Sequence, residues 1–361
     1  MSADRRRRHA RGLQHGPAGR TPRSLALGVA LASLVAFAAP ELHAQASCPR
    51  IMVQDSTLDH LVDPPGYRTA RLGTLGGVIR SGTGTRPMIL IPGLGFGGGV
   101  FTEFMRRFES EYRMYAVTLP GFGGTAAPPS PGPKVSFGSQ TWTNGALAAI
   151  EHLIKEEKLE SPVIVGHRLT GTQLAFRLAL ARSDVRAVVL LAGSAKMILT
   201  DTAYATYYGT LERRVASVDR WLAPRWFRTV TRETWDDNNF LPGDYAVHPV
   251  RGLRLWREAA SPGLHVWVRY LCEFNAQDVS LELDRLTVPT LLLEPGLEGN
   301  WHEAGQDYMR GFCRDSWEGR AVKHPRITVR TIPGARACMW FDQQDAVHDA
   351  VAGFLRGVGA R

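Results

Sequence analysis

The segment Val163-Ile164-Val165-Gly166-His167-Arg168-Leu169-Thr170-Gly171 has the make-up of a turn that presents a reacting group: an apolar strand run breaks into small residues and the start of a helix. In such a turn the central residue is held in a strained backbone conformation, and small residues before and after it let neighbouring backbones approach. Gly166 and Gly171 meet that need, and Thr170 occupies the second small position. A hydroxyl at the centre would carry out acyl transfer, with a nearby imidazole taking its proton. The residue at the centre is Arg168. Its guanidinium is always protonated and has no lone pair with which to attack or to accept a proton.

The other groups capable of such chemistry are scattered. His167, beside the turn, reads as a structural residue; His302, in the loop after an apolar strand, is placed to approach a pocket; His348 falls on the last helix as a packing or surface residue. Thr170 points into its helix start, and Ser194 has no evident base. Cys48, Cys272, Cys313 and Cys338 fit no metal-site spacing, so neither a metal nor a cofactor is expected. In an oxidising compartment they allow up to two disulfides, with three possible pairings.

The elements that must position these residues alternate in type. Apolar runs at 88–91, 114–119, 162–165, 187–191, 288–293 and 327–332 read as strands; segments near 100–110, 141–158, 169–181, 303–315 and 344–356 read as helices. This rhythm predicts an α/β fold, a mostly parallel sheet with helices on both faces. The Gly-rich loops at 92–99, 120–124 and 166–171 follow strands, so they should face one crevice at the carboxyl ends of the sheet. Residues 197–275 break the rhythm: they are helical in period and rich in aromatics, including Trp221, Trp226, Trp235, Trp256 and Trp267. Holding an insert onto the sheet accounts for such aromatics one by one, and as a group they suit a lid over an apolar pocket.

The chain has 361 residues and a formal net charge of +9. Its first 46 residues run from Arg5-Arg6-Arg7-Arg8 through an apolar stretch at 24–39 to Ala44-Gln45-Ala46, the order of a secretory signal peptide. Export to the periplasm or the extracellular space is therefore expected, with no stable membrane span after cleavage. The remaining 47–361 carry 36 basic and 32 acidic residues, a net of +4, so the basic balance does not argue for nucleic acid.

Five segments together, ILIPGLGFGGGVF (89–101), VTLPGFGG (117–124), VIVGHRLTG (163–171), VPTLLLEPGLEGN (288–300) and TIPGARACMWFDQ (331–343), resemble the α/β-hydrolase family. The resemblance is to its esterase-like members with a helical cap inserted after the sixth strand, and it covers nearly all of 66–357. It implies a single domain with that cap at about 197–275 and carboxylic-ester chemistry. Carried over residue by residue, the family's nucleophile serine falls on Arg168, its histidine on Ala337, its acid on Glu298 with Glu294 as the alternative, and its oxyanion-hole amides on Leu94 and Leu169.

Both reacting groups are thus replaced, and loss of one triad member costs on the order of a million-fold in turnover. The expectation is a hydrolase-like protein without ordinary Ser-His activity, which binds an apolar or carboxylate small molecule; a protein partner is not specified. The alternative is an active ester or lipid hydrolase with a non-standard nucleophile or base. Three fates are open to Arg168: a bidentate pair with Glu298 across the volume vacated at Ala337, an anion pocket shared with the Leu94 and Leu169 amides, or a plug in a disused cavity.

Overall fold

The computed structural model describes residues 69–132, 134–198, 210–224, 241–298 and 313–359. The N-terminal segment read as an export signal, Cys48, His302, residues 303–312 of the helix expected near 303–315 and part of the aromatic insert lie outside the described residues.

Seven strands form one sheet: β1 (Gly77–Ser81), β2 (Arg86–Ile91), β3 (Tyr112–Thr118), β4 (Val163–His167), β5 (Ala187–Leu191), β6 (Thr290–Pro295) and β7 (Ile327–Ile332), in the order β1-β3-β2-β4-β5-β6-β7. β1 runs antiparallel to β3, and every other pairing is parallel. Strands covered on both faces need continuous apolar runs, and Met88–Ile91, Val163–Val165, Ala187–Leu191 and Leu291–Leu293 are all essentially inaccessible to solvent. β1 is only half-buried and sits at the edge, and its short Gly-Val-Ile-Arg-Ser sequence gave no strand signal. β6 starts two residues later than the apolar pattern suggests. Pro289 has no N–H to give the ladder, although its carbonyl accepts from Val188 at 2.9 Å.

Before the insert come α1 (Thr102–Arg106), α2 (Thr141–Glu156) and α3 (Arg168–Ala181). α1 is shorter than the 100–110 segment suggests, and a 3-10 turn at Gly98–Phe101 leads into it. The described part of the insert holds α4 (Leu211–Ser217), which runs into a π turn, then α5 (Pro242–Tyr245), α6 (Pro249–Ala260) and α7 (Leu264–Asn275). It follows β5, the fifth of the seven described strands. Helices α5 and α6 both begin at proline, whose fixed φ and missing N–H suit a first helical position. The last described element is α8 (Gln344–Gly359).

One buried carboxylate locks the cap to the sheet domain. Glu273 on α7 accepts from the Trp142 and Thr143 amides at 3.0 and 2.7 Å, from the Thr143 hydroxyl at 2.6 Å and from Arg269 Nε at 3.0 Å. Two of these donors are otherwise orphaned amides at the start of α2, where Gln140 provides no side-chain cap.

Candidate functional site

The turn from β4 into α3 is built on close backbone approach. A Cβ on Gly166 would come within 2.5 Å of the Gly171 carbonyl oxygen and 2.7 Å of Ala175 Cβ; one on Gly171 would come within 2.6 Å of the Ile91 carbonyl oxygen. Side chains are excluded at both positions. Thr170 is accommodated fully buried, with no hydrogen-bond partner for its hydroxyl among the described residues. Arg168, between them, has φ +49°, in the left-handed region that costs an L-residue roughly 1–2 kcal/mol.

Arg168 is only 4% exposed, and its guanidinium carbon lies 5.3 Å from the ring centre of Tyr245, on the cap helix α5. Burial pushes the Tyr245 phenol well above its ordinary range, against the Arg168 charge and a hydrogen bond from it. The neighbouring Asp244 is also buried. Its Oδ2 accepts the Leu241 amide at 2.5 Å, while Oδ1 has no hydrogen-bond partner among the described residues. Burial pushes this carboxyl up to about 7, opposed by the Leu241 amide and by the charges of Arg168 and Arg336.

Glu298 does not meet Arg168, so the pairing expected across the site is not formed. Glu298 is exposed and accepts the Gly334 amide at 2.7 Å, which holds its carboxyl below the usual range. Glu294, at the end of β6, is buried and pairs with Arg314 at 3.2 Å; burial still raises its pKa. Ala337 is buried, and its main chain is fully engaged: the amide donates to the Asp244 carbonyl at 3.1 Å, and its carbonyl lies 3.1 Å from His167 Nε2. The next amide, Cys338, donates to the Tyr245 carbonyl at 2.9 Å.

His167 is fully buried among Phe96, Phe101 and Trp340, and burial together with the Arg168 charge holds its pKa well below the ordinary value. It is therefore a neutral ring that donates through Nε2 to Ala337, a structural link. His348 lies away from the turn, 3.2 Å from Asp349 and packed on the Phe108 ring. Ser194 is buried, and its hydroxyl has no hydrogen-bond partner among the described residues.

Leu94 and Leu169 are buried beside the turn, and neither amide has an acceptor among the described residues. The cap presses on the loop that carries Leu94. A Cβ on Gly95 would meet the Ala259 carbonyl oxygen and Trp267 at 2.7 Å, and the Gly97 amide donates to Glu258 on α6 at 3.3 Å. Tyr270 of α7 donates to the Pro120 carbonyl at 3.2 Å.

The structure thus assembles Arg168, Leu169, Leu94 and Ala337 around one turn, whereas Glu298 is exposed and bonded to the Gly334 amide. It adds Asp244 and Tyr245, which carried no sequence signal. The disulfides allowed by composition are not formed among Cys272, Cys313 and Cys338, which are all free buried thiols. Burial pushes the Cys313 thiol up to about 12. Among the described residues no His, Cys, Asp and Glu group is clustered as a metal site, and no helix is long and apolar enough to cross a membrane.

A seven-stranded, mostly parallel sheet whose strands end in Gly-rich loops under a helical insert is the architecture of an α/β hydrolase. The chain belongs to the alpha/beta hydrolase family, whose profile matches residues 88–350. Among solved structures it is similar to an esterase from Exiguobacterium antarcticum, with 15% identity, a TM-score of 0.56, and coverage of 80% of this chain and 100% of that one. A bromoperoxidase from Bacillus anthracis matches at 17% identity and TM-score 0.54, covering 77% and 94%. A thermophilic esterase from Thermogutta terrifontis, solved with malate bound, matches at 18% identity and TM-score 0.51, covering 78% and 93%. A comparison with curated proteins finds no match.

Proposed function

We propose that this family member does not turn over esters by the Ser-His route and instead binds a small ligand bearing a carboxylate under its cap. The observation that carries the reading is Arg168. It stands where the family's serine would stand, buried at the centre of the β4–α3 turn, with its guanidinium against Tyr245. Ala337, at the histidine's place, offers only a methyl group, and Glu298, at the acid's place, is exposed and committed to Gly334. No nucleophile-base pair results from these three positions.

Against the cost of burial that raises the Asp244 carboxyl, the same surroundings supply partners for negative charge. The Leu94 and Leu169 amides, the N-terminal end of the 14-residue α3 and the Arg168 cation all attract an anion. Phe96 and Tyr245, packed edge to face with ring centres 5.5 Å apart, supply the apolar surface beside Arg168. That one structural relative was solved with malate bound supports a carboxylate as the charged group. The composition of residues 1–46 supports export as part of the same reading.

The test is to incubate the purified protein with a fluorophosphonate probe and short aryl esters, beside an Arg168→Ser, Ala337→His double variant. The natural protein should stay unlabelled and bind malate, used as a probe carboxylate, with that binding lost in Arg168→Ala. Labelling and ester turnover by the natural protein would refute the reading and favour an active hydrolase with a non-standard nucleophile.

A further inference from the structure

The amino-terminal ends of the strands, opposite the turn at Arg168, gather positive charge. Arg86 opens β2, Arg113 is the second residue of β3, Arg186 directly precedes β5, and Lys158 lies in the turn before β4. The sheet order β3-β2-β4-β5 sets these positions side by side; the register pairs Pro87 with Arg113, Met88 with Val163 and Val163 with Ala187. The four cations line a recess of about 270 Å³ together with the hydroxyls of Thr85 and Ser161, and Glu160 is its one acid.

Arg86 is partly neutralised by Glu111 and lies over the Tyr112 ring, 4.5 Å from its centre. Arg113, Lys158 and Arg186 have no ion-pair partner among the described residues. The charges of Arg86 and Arg186 both act on the Tyr112 phenol, whose pKa burial raises and they lower, so both reach the same spot. The rim is held in an uncommon backbone: Lys158 and Ser161 have φ of +51° and +48° within four residues, a conformation that persists only where surroundings enforce it.

We propose that this recess is an anion site for a phosphate group. Guanidinium forks from different strands match tetrahedral oxygens pairwise, and hydroxyls can complete the set. A single carboxylate would leave most of these donors unused. The recess is open to water, so binding should weaken with salt. It is independent of the carboxylate reading for Arg168, which lies at the other end of the strands.

The experiment is calorimetric titration of the full chain with inorganic phosphate at low ionic strength, with chloride at equal ionic strength as the control. Saturable phosphate binding is expected, weakened at least tenfold in an Arg113→Glu, Arg186→Glu double variant and unchanged in Arg168→Ala. A Lys158→Gln, Arg113→Gln variant gives a milder second test, and thermal unfolding of each variant verifies that it is folded. Phosphate binding that survives both double variants, is lost in Arg168→Ala, or is matched by chloride would overturn the proposal. A parallel arm uses phosphatidic acid vesicles. Binding to vesicles without binding to free phosphate would also overturn it and assign the patch to a membrane surface.

Discussion

Replacing Asp244 by Asn gives the sharpest physical test of the buried cluster around Arg168. A displacement of the Asp244 carboxyl from about 3.8 to about 7 means that ionising it in the folded protein costs about 4 kcal/mol more than in the unfolded chain. The folded state binds the proton more tightly, so the penalty is absent below about pH 4, grows as pH rises, and is complete above about pH 7. Between pH 5 and pH 8 the change amounts to about 3 kcal/mol. Urea unfolding of the natural protein and of Asp244→Asn at each pH from 5 to 8 reads this directly from the extrapolated free energies. Other titrating groups are shared by both proteins, so the difference between them isolates Asp244. The variant should gain on the natural protein by about 3 kcal/mol across that range. Parallel profiles, or a gap that moves the other way, would refute the reasoning and show that the Arg168 and Arg336 charges balance or outweigh burial.

Two further substitutions probe how the site is held. Glu273→Ala leaves the buried Arg269 guanidinium and the first amides of α2 uncompensated, and should cost about 3–5 kcal/mol in denaturant unfolding while the exposed Arg80–Glu157 pair tolerates disruption with little loss. Gly171→Ala sets a methyl against the Ile91 and Pro92 carbonyls, and should lower stability by about 1–3 kcal/mol in the same assay.

The parts of the fold that the amino-acid sequence announces are those with one dominant constraint. β2, β4 and β5 are covered on both faces, so their apolar runs are continuous and unmistakable. β1 is short and half-exposed, so no such run marks it. Within the site, Gly166, Gly171 and Arg168 were readable because a tight turn restricts residue type at fixed offsets. Asp244 and Tyr245 were not, because they come to Arg168 only through the path of the cap, which local sequence does not encode. The Arg168–Glu298 pairing failed for a related reason. Both residues fall near the strand ends, yet the Gly334 amide offers Glu298 a nearer partner at the rim, and the Tyr245 ring lies over the guanidinium. Cysteine number allowed disulfides, but Cys272 sits in the cap core while Cys313 Sγ contacts the Ala192 carbonyl beyond β5.

The two amide-to-carbonyl links from Ala337 and Cys338 to Asp244 and Tyr245 make the short helix α5 and the loop after β7 one mechanical piece. A cap that swung away from the sheet would have to shear both rungs or drag the loop with it, and His167, bound to the same loop from the β4 side, would be pulled as well. The residue that stacks on Arg168 is therefore tethered to the strand that presents Arg168. A displacement of α5 is therefore transmitted through the loop after β7 to the end of β4, where Arg168 begins its helix.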